Sequence, residues 1–184
     1  MKIAIYLGSH DGNDPIYCRS AYELGRTLAQ KGIGIVYGGA NVGTMGSLAR
    51  GAADAHGECI GVFPEGFKGR PVVAATGQNI RQEGLTDFVV VKNFAERKQV
   101  MEDMSDCCLA LPGSWGTMDE LFTYATSSQL LFNGGKRIFI LNTKGFYDPL
   151  KAQIGRMYDE GFIDASARNL FIFCETIDDL MEAL

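Results

Sequence analysis

Proline is scarce in this 184-residue sequence, with five in all, and its glycines show no period of three, which excludes a collagen-like chain. No apolar run approaches the roughly 18 residues that span a bilayer, so no transmembrane helix and no membrane partner are expected. The two histidines, His10 and His56, are too few and too scattered to suggest a zinc site, and no metal is expected. Five cysteines make an odd number without Cys-x-x-Cys spacing, which argues against a disulfide framework and for a reducing cytoplasm. A basic stripe is also missing, and net charge is −5, so a nucleic acid polymer is not an expected partner. A small anion stays compatible, because backbone N–H groups and one or two arginines bind it locally. Met1–Leu7 is too short for a signal peptide and leads straight to Gly8; it reads as a first strand, with a cytoplasmic location expected.

What the chain does have is hydrophobic content and glycine. Hydrophobic residues are 46% and charged residues 21%, which excludes a disordered chain and fits one folded domain over residues 1–184. Glycine occurs 23 times, and six of these lie between Gly32 and Gly46. Average usage is about 7%. In a folded domain that excess calls for an account in backbone geometry.

Short apolar runs alternate with helical patterns. Strands are expected at 2–7, 33–37, 58–63, 87–91, 107–111, 137–142 and 170–174. Most are continuously apolar, as in Ile138-Phe139-Ile140-Leu141, which is how strands buried on both faces of a parallel sheet read. Asp14 reads as an N-cap before Pro15, and Tyr17, Ala21, Leu24 and Leu28 then form one apolar face. Further helices are expected at about 44–56, 94–104, 117–132, 147–160 and 176–183. This alternation predicts an α/β fold, a doubly wound parallel sheet with helices on both faces. Residues 64–84 read either as a long, mobile connection on the binding side or as an irregular surface excursion.

One local pattern occurs twice. Gly39-Ala40-Asn41-Val42-Gly43-Thr44-Met45-Gly46 follows one strand, and Pro112-Gly113-Ser114-Trp115-Gly116-Thr117-Met118 follows another. Each is a glycine turn leading into Gly-Thr-Met at a helix start. Glycine admits close backbone approach, and the helix N-terminus adds unpaired N–H groups and the positive end of the dipole. Together these predict two phosphate-binding loops. Neither a Walker A nor a G-x-G-x-x-G run is present, which argues against an ATPase and a dinucleotide-dependent dehydrogenase.

These residues resemble the LOG-like family of cytokinin riboside 5′-monophosphate phosphoribohydrolases. The likeness rests on Glu96-Arg97-Lys98 and on Pro112-Gly113-Ser114-Trp115-Gly116-Thr117-Met118-Asp119-Glu120. Gly8-Ser9, Tyr37-Gly38-Gly39, Met45-Gly46, Gly61-Val62, Gly145–Asp148 and Glu160–Ile163 extend it over roughly residues 1–163. The resemblance implies a Rossmann-like fold, a homodimer, and hydrolysis of a nucleoside 5′-monophosphate, AMP or an N6-modified analogue, to free base and ribose 5-phosphate. It places Arg97 and Glu120 at catalytic positions and Gly39, Gly43, Thr44, Gly113, Ser114, Gly116 and Thr117 at nucleotide-binding ones. Ser9 and Lys98 are further candidate substrate contacts, with solvent or a partner chain as the other reading of Lys98. Older names call such proteins lysine decarboxylases, but no pyridoxal-binding lysine site is readable, and no cofactor is expected. Ser114 stands where the family has its second glycine and Ala40 where it commonly has another. Thr123–Leu130 lacks the family's tryptophan and later histidine in a region that shapes the base pocket.

Hydrolysing an N-ribosyl bond passes through an oxocarbenium-like state, which a carboxylate stabilises or serves by activating water. Glu120 is the candidate. Asp119 points about 100° away on a helix and is a poor partner for it. Thr117-Met118-Asp119-Glu120 reads equally as a capping box, which is the bland alternative for Glu120. Arg97 suits phosphate or ribose binding, with a surface ion pair to Glu96 or Glu102 as its alternative. Thr44 and Thr117 are candidate helix caps. Trp115 either flanks the ligand or fills a packing site. Cys107 and Cys108 read as core. A competing function is a non-catalytic binder of a nucleotide or pterin cofactor, like a molybdenum cofactor carrier, on the same fold.

Overall fold

The computed structural model describes residues 1–65, 84–164, 167 and 169–184. The strands are β1 (Lys2–Tyr6), β2 (Gly34–Tyr37), β3 (Cys59–Pro64), β4 (Asp87–Val91), β5 (Cys107–Ala110), β6 (Ile138–Leu141) and β7 (Phe171–Cys174). The helices are α1 (Ile16–Gln30), α2 (Gly43–Asp54), α3 (Phe94–Asp103), α4 (Trp115–Gln129), α5 (Asp148–Asp159) and α6 (Ile177–Ala183). All seven expected strands and six expected helices are present, with ends shifted by up to three residues. Residues 66–83 of the connection expected over 64–84 lie outside the described residues.

The sheet is wholly parallel, in the order β4-β3-β2-β1-β5-β6-β7. This is the doubly wound arrangement that the sequence predicts. Alternation along β1 sends Ile3 and Ile5 into one core with Leu24 and Leu28 of α1 and Leu48 of α2. Ala4 and Tyr6 enter the opposite core with Met101 of α3 and Leu121 and Tyr124 of α4. The central strands are buried on both faces, which is why they read as unbroken apolar runs.

Two glycines of the excess serve helix packing. A β-carbon at Gly25 would meet the Leu48 carbonyl oxygen at 2.1 Å, and one at Gly51 would meet that of Tyr22 at 2.0 Å. The backbones of α1 and α2 therefore approach through these two positions. Asp14 differs slightly from its expected role. Pro15 occupies the cap position, and the Asp14 carboxylate accepts from Ile16 N–H at 3.0 Å and from Lys144 Nζ at 2.7 Å. Fixed φ suits Pro15 to this entry, and Asp14 works from one place earlier.

Candidate functional site

β1 pairs with β2 on one side and β5 on the other, so the chain winds away in both directions from the β1–β5 boundary. Ligands of open α/β sheets bind in the crevice outside the strand carboxyl ends at such a switch point. A cleft of about 210 Å³ lies there, lined by Gly8 after β1, Thr44 of α2, Gly113 and Ser114 after β5, and the aromatic edges of Tyr17 and Phe146. Three loops distant in sequence thus converge, among them both expected phosphate loops.

The two loops are not equivalent. At α2, the Thr44 hydroxyl and Met45 N–H both donate to the Gly8 carbonyl, at 2.9 and 3.2 Å. Thr44 is buried and stitches α2 to the β1 loop instead of capping its own helix. Gly43 makes this possible: its φ is +59°, and a β-carbon would fall 2.4 Å from the Ser9–His10 backbone. At α4 the cap position is Ser114, and the helix starts two residues before Thr117. First-turn N–H groups of Trp115, Gly116 and Thr117 have no intrahelical acceptor, which makes this end the better anion cradle. Thr117 is buried and packs over Gly113, where a β-carbon would be 2.1 Å from its Oγ1.

The capping-box reading of Glu120 is overturned, since Thr117 sits inside the first turn. Glu120 instead accepts from Arg97 Nη2 at 3.1 Å, and both side chains are about nine-tenths buried. Burial pushes the Glu120 carboxyl above its ordinary value; the Arg97 charge opposes this and Asp119 adds to it. Arg97 is not a surface arginine. Its guanidinium lies against Gly38 and sits 5.9 Å from the centroid of the Phe94 ring. Its Nε is buried without an acceptor among the described residues. Neither Arg97 nor Glu120 lines the 210 Å³ cleft; Gly113, with Thr117 behind it, connects the cleft to the α4 turn that carries Glu120.

A second ion pair runs beside the first. Lys98 Nζ lies 2.9 Å from both Asp119 carboxylate oxygens and 3.0 Å from Thr123 Oγ1. Further along, Ser127 donates to Glu102. From the level of Lys98–Asp119 to that of Glu102–Ser127 both helices advance toward their C-termini, so α3 and α4 run parallel with their N-termini side by side. Asp119 turns away from the Arg97–Glu120 site, as helical geometry requires, and Lys98 is held on α4 and does not line the cleft.

Among the other candidates, Ser9 Oγ lies 3.3 Å from His10 Nδ1 at the rim. Gly39 packs on Gly61 and the Phe88 ring, joining the ends of β2 and β3. Gly116 faces open space among the described residues. Trp115 is 89% exposed and therefore fills no packing site. Cys107 and Cys108 are buried, and burial pushes both thiols up, the Cys107 thiol to about 11, which keeps them protonated core groups. Sequence reasoning missed Tyr124, one turn beyond Glu120, whose ring meets Tyr6 edge-to-face at 6.2 Å beneath the site. Its spacing of four from Glu120 was the available signal. Among the described residues, no cluster of three or more His, Cys, Asp or Glu forms a metal set, and no helix is long and apolar enough to cross a membrane.

With the geometry established, comparison with known proteins gives the family. The family described as "Possible lysine decarboxylase" matches residues 45–184. A cytokinin riboside 5′-monophosphate phosphoribohydrolase of Rhodococcoides fascians is 35% identical, over 100% of this chain and 88% of its own. Its counterpart from Oryza sativa subsp. japonica is 35% identical over 98% of this chain and 71% of its own, and one from Arabidopsis thaliana 32% over 100% and 82%. In fold, the chain superposes on a molybdenum cofactor binding protein of Rippkaea orientalis with a TM-score of 0.71 at 20% identity, over 99% of this chain and 93% of the other. The molybdenum cofactor carrier protein of Chlamydomonas reinhardtii gives 0.68 at 20%, over 99% and 94%. At that identity the likeness concerns the fold alone, whereas full-length identity of about 35% joined to the Arg97–Glu120 motif places this chain in the LOG family of phosphoribohydrolases.

Proposed function

We propose that the protein hydrolyses the N-glycosidic bond of a nucleoside 5′-monophosphate, AMP or an N6-modified analogue, releasing free base and ribose 5-phosphate. The observation that carries this reading is the buried Arg97–Glu120 pair one turn below the open N-terminus of α4. The names of the relatives support the same reaction. A 5′-phosphate suits the first-turn N–H groups of α4, with Ser114, Gly113 and Thr44 around it. The ribose then lies toward Glu120. As the glycosidic bond breaks, positive charge develops on the sugar, and a carboxylate shielded from water stabilises it more strongly than one in solution. Glu120 also sits where it can take a proton from attacking water, and a carboxyl raised above its ordinary value suits that exchange. Arg97 holds the Glu120 oxygen in place and offers its remaining donors to the phosphate or ribose.

The protein acts as a homodimer in this proposal. α4 and α5 present an apolar groove of about 490 Å³, with Phe122 and Phe162 in its walls. Phe132 and Phe162 are more than 80% exposed, an area that a second copy would cover. Light scattering reads this directly, and a monomer at micromolar concentration would overturn it. For the reaction, a panel of nucleoside monophosphates is incubated with the protein and scored for free base and ribose 5-phosphate. Release from AMP or an N6-substituted AMP is expected. Binding without release across the panel would replace the hydrolase reading by that of a nucleotide or pterin-cofactor carrier.

A further inference from the structure

Trp115 is the chain's single tryptophan and is 89% exposed, although tryptophan is among the most buried residues on average. It is the first residue of α4, directly after Ser114 at the cleft. Phe94 is the first residue of α3 and half exposed, and its ring lies over the Arg97 guanidinium. Their relative placement follows from the helix pairing. Residues four apart on a helix share a face, so Trp115 lies one turn above Asp119 and Phe94 one turn above Lys98. Asp119 and Lys98 touch. Helical side chains also lean toward the helix N-terminus. Trp115 and Phe94 therefore stand on the two sides of the α3–α4 groove, above the ion pairs and at the sheet's ligand-binding end.

We propose that Trp115 and Phe94 form an aromatic clamp for the nucleobase, with the base stacked on the Trp115 indole while its ribose reaches Glu120. This rests on the proposed nucleotide reaction and deepens it by assigning the base site. Stacking on an aromatic side chain tolerates any base, because every base has a π-face, but it grows with overlap. A purine covers more of an indole than a pyrimidine does, so the clamp selects purine monophosphates.

Because Trp115 is alone, its fluorescence reports on this site without interference from another tryptophan. AMP is expected to quench its emission, and ribose 5-phosphate, which has no base, is expected to leave it unchanged. Trp115→Ala should raise KM for AMP about tenfold or more and narrow the preference for AMP over UMP, with a smaller effect on kcat. Trp115→Phe should restore most of the affinity, and Phe94→Ala should weaken AMP in the same direction. Wild-type hydrolysis of AMP without any change in Trp115 emission overturns the clamp and leaves the reaction standing. Quenching by AMP without base release keeps the clamp and overturns the reaction. A blue-shifted emission in the ligand-free protein that ignores AMP assigns Trp115 to a protein interface and overturns the clamp.

Discussion

The guanidinium of Arg97 occupies the space over the α-carbon of Gly38, where a β-carbon would stand 2.0 Å from Nη2 and 3.1 Å from Met45 Sδ. Gly38 is thus needed for room. A single methyl group there displaces the charged end of Arg97 from Glu120. Gly38→Ala should keep the circular dichroism of the wild type and lower ribose 5-phosphate release roughly 100-fold, the scale of a misplacement of about 1 Å in an active site. A wild-type rate would show that the guanidinium is not held by this contact.

Glu120→Gln preserves shape and removes the carboxylate. It should fold and bind nucleotide but release no ribose 5-phosphate above background. Its stability should also change with pH in a defined direction. Burial raises the Glu120 carboxyl from the ordinary 4.5, so the folded state binds that proton more tightly than the unfolded one. This contribution is full below about 4.5 and is lost as pH rises through the raised value. The melting temperature of Glu120→Gln relative to wild type should therefore rise with pH above that point. A flat difference between pH 4 and pH 8 would contradict the raised carboxyl.

Gly51→Ala sets two effects against each other. Alanine favours a helix by about 1 kcal/mol over glycine. Here its β-carbon would lie 2.0 Å from the Tyr22 carbonyl, which forces α1 and α2 apart. Overpacking of this kind costs about 1–3 kcal/mol or more, so a net loss is expected, read as a lower urea midpoint with an unchanged slope. An increase in stability would show that the helices separate without penalty.

Lys98 and Asp119 form a half-exposed pair, with side chains 19% and 58% accessible. A double-mutant cycle with Lys98→Met and Asp119→Asn should give a coupling below about 1 kcal/mol. Lys98→Met should change KM for AMP far less than Arg97→Ala. An equal loss of affinity in the two variants would make Lys98 a phosphate ligand.

Much of the architecture was legible because buried parallel strands leave unbroken apolar runs, such as Ile3–Leu7 and Ile138–Leu141. Arg97 and Glu120 were legible through the family motif, but their separation of 23 positions says nothing of contact; the parallel register of α3 and α4 supplies it. The role of Gly38 was hidden, because glycine in a loop reads equally as a turn, a ligand approach or a vacated space. Gly25 and Gly51 were legible in principle, since glycine inside a helix is costly and asks for a packing reason. The capping box at Thr117 misled because Ser-Trp-Gly-Thr offers two helix starts, and burial of Thr117 over Gly113 selects the earlier one.

The pairing of Ile3 with Cys107 has a kinetic consequence. Strands adjacent at the centre of the sheet are about a hundred residues apart in the chain, and the cleft opens on their shared edge. Contacts of such separation form late, after local helices have appeared. In refolding, nucleotide binding should therefore lag the recovery of helical signal and track the closure of β1 onto β5.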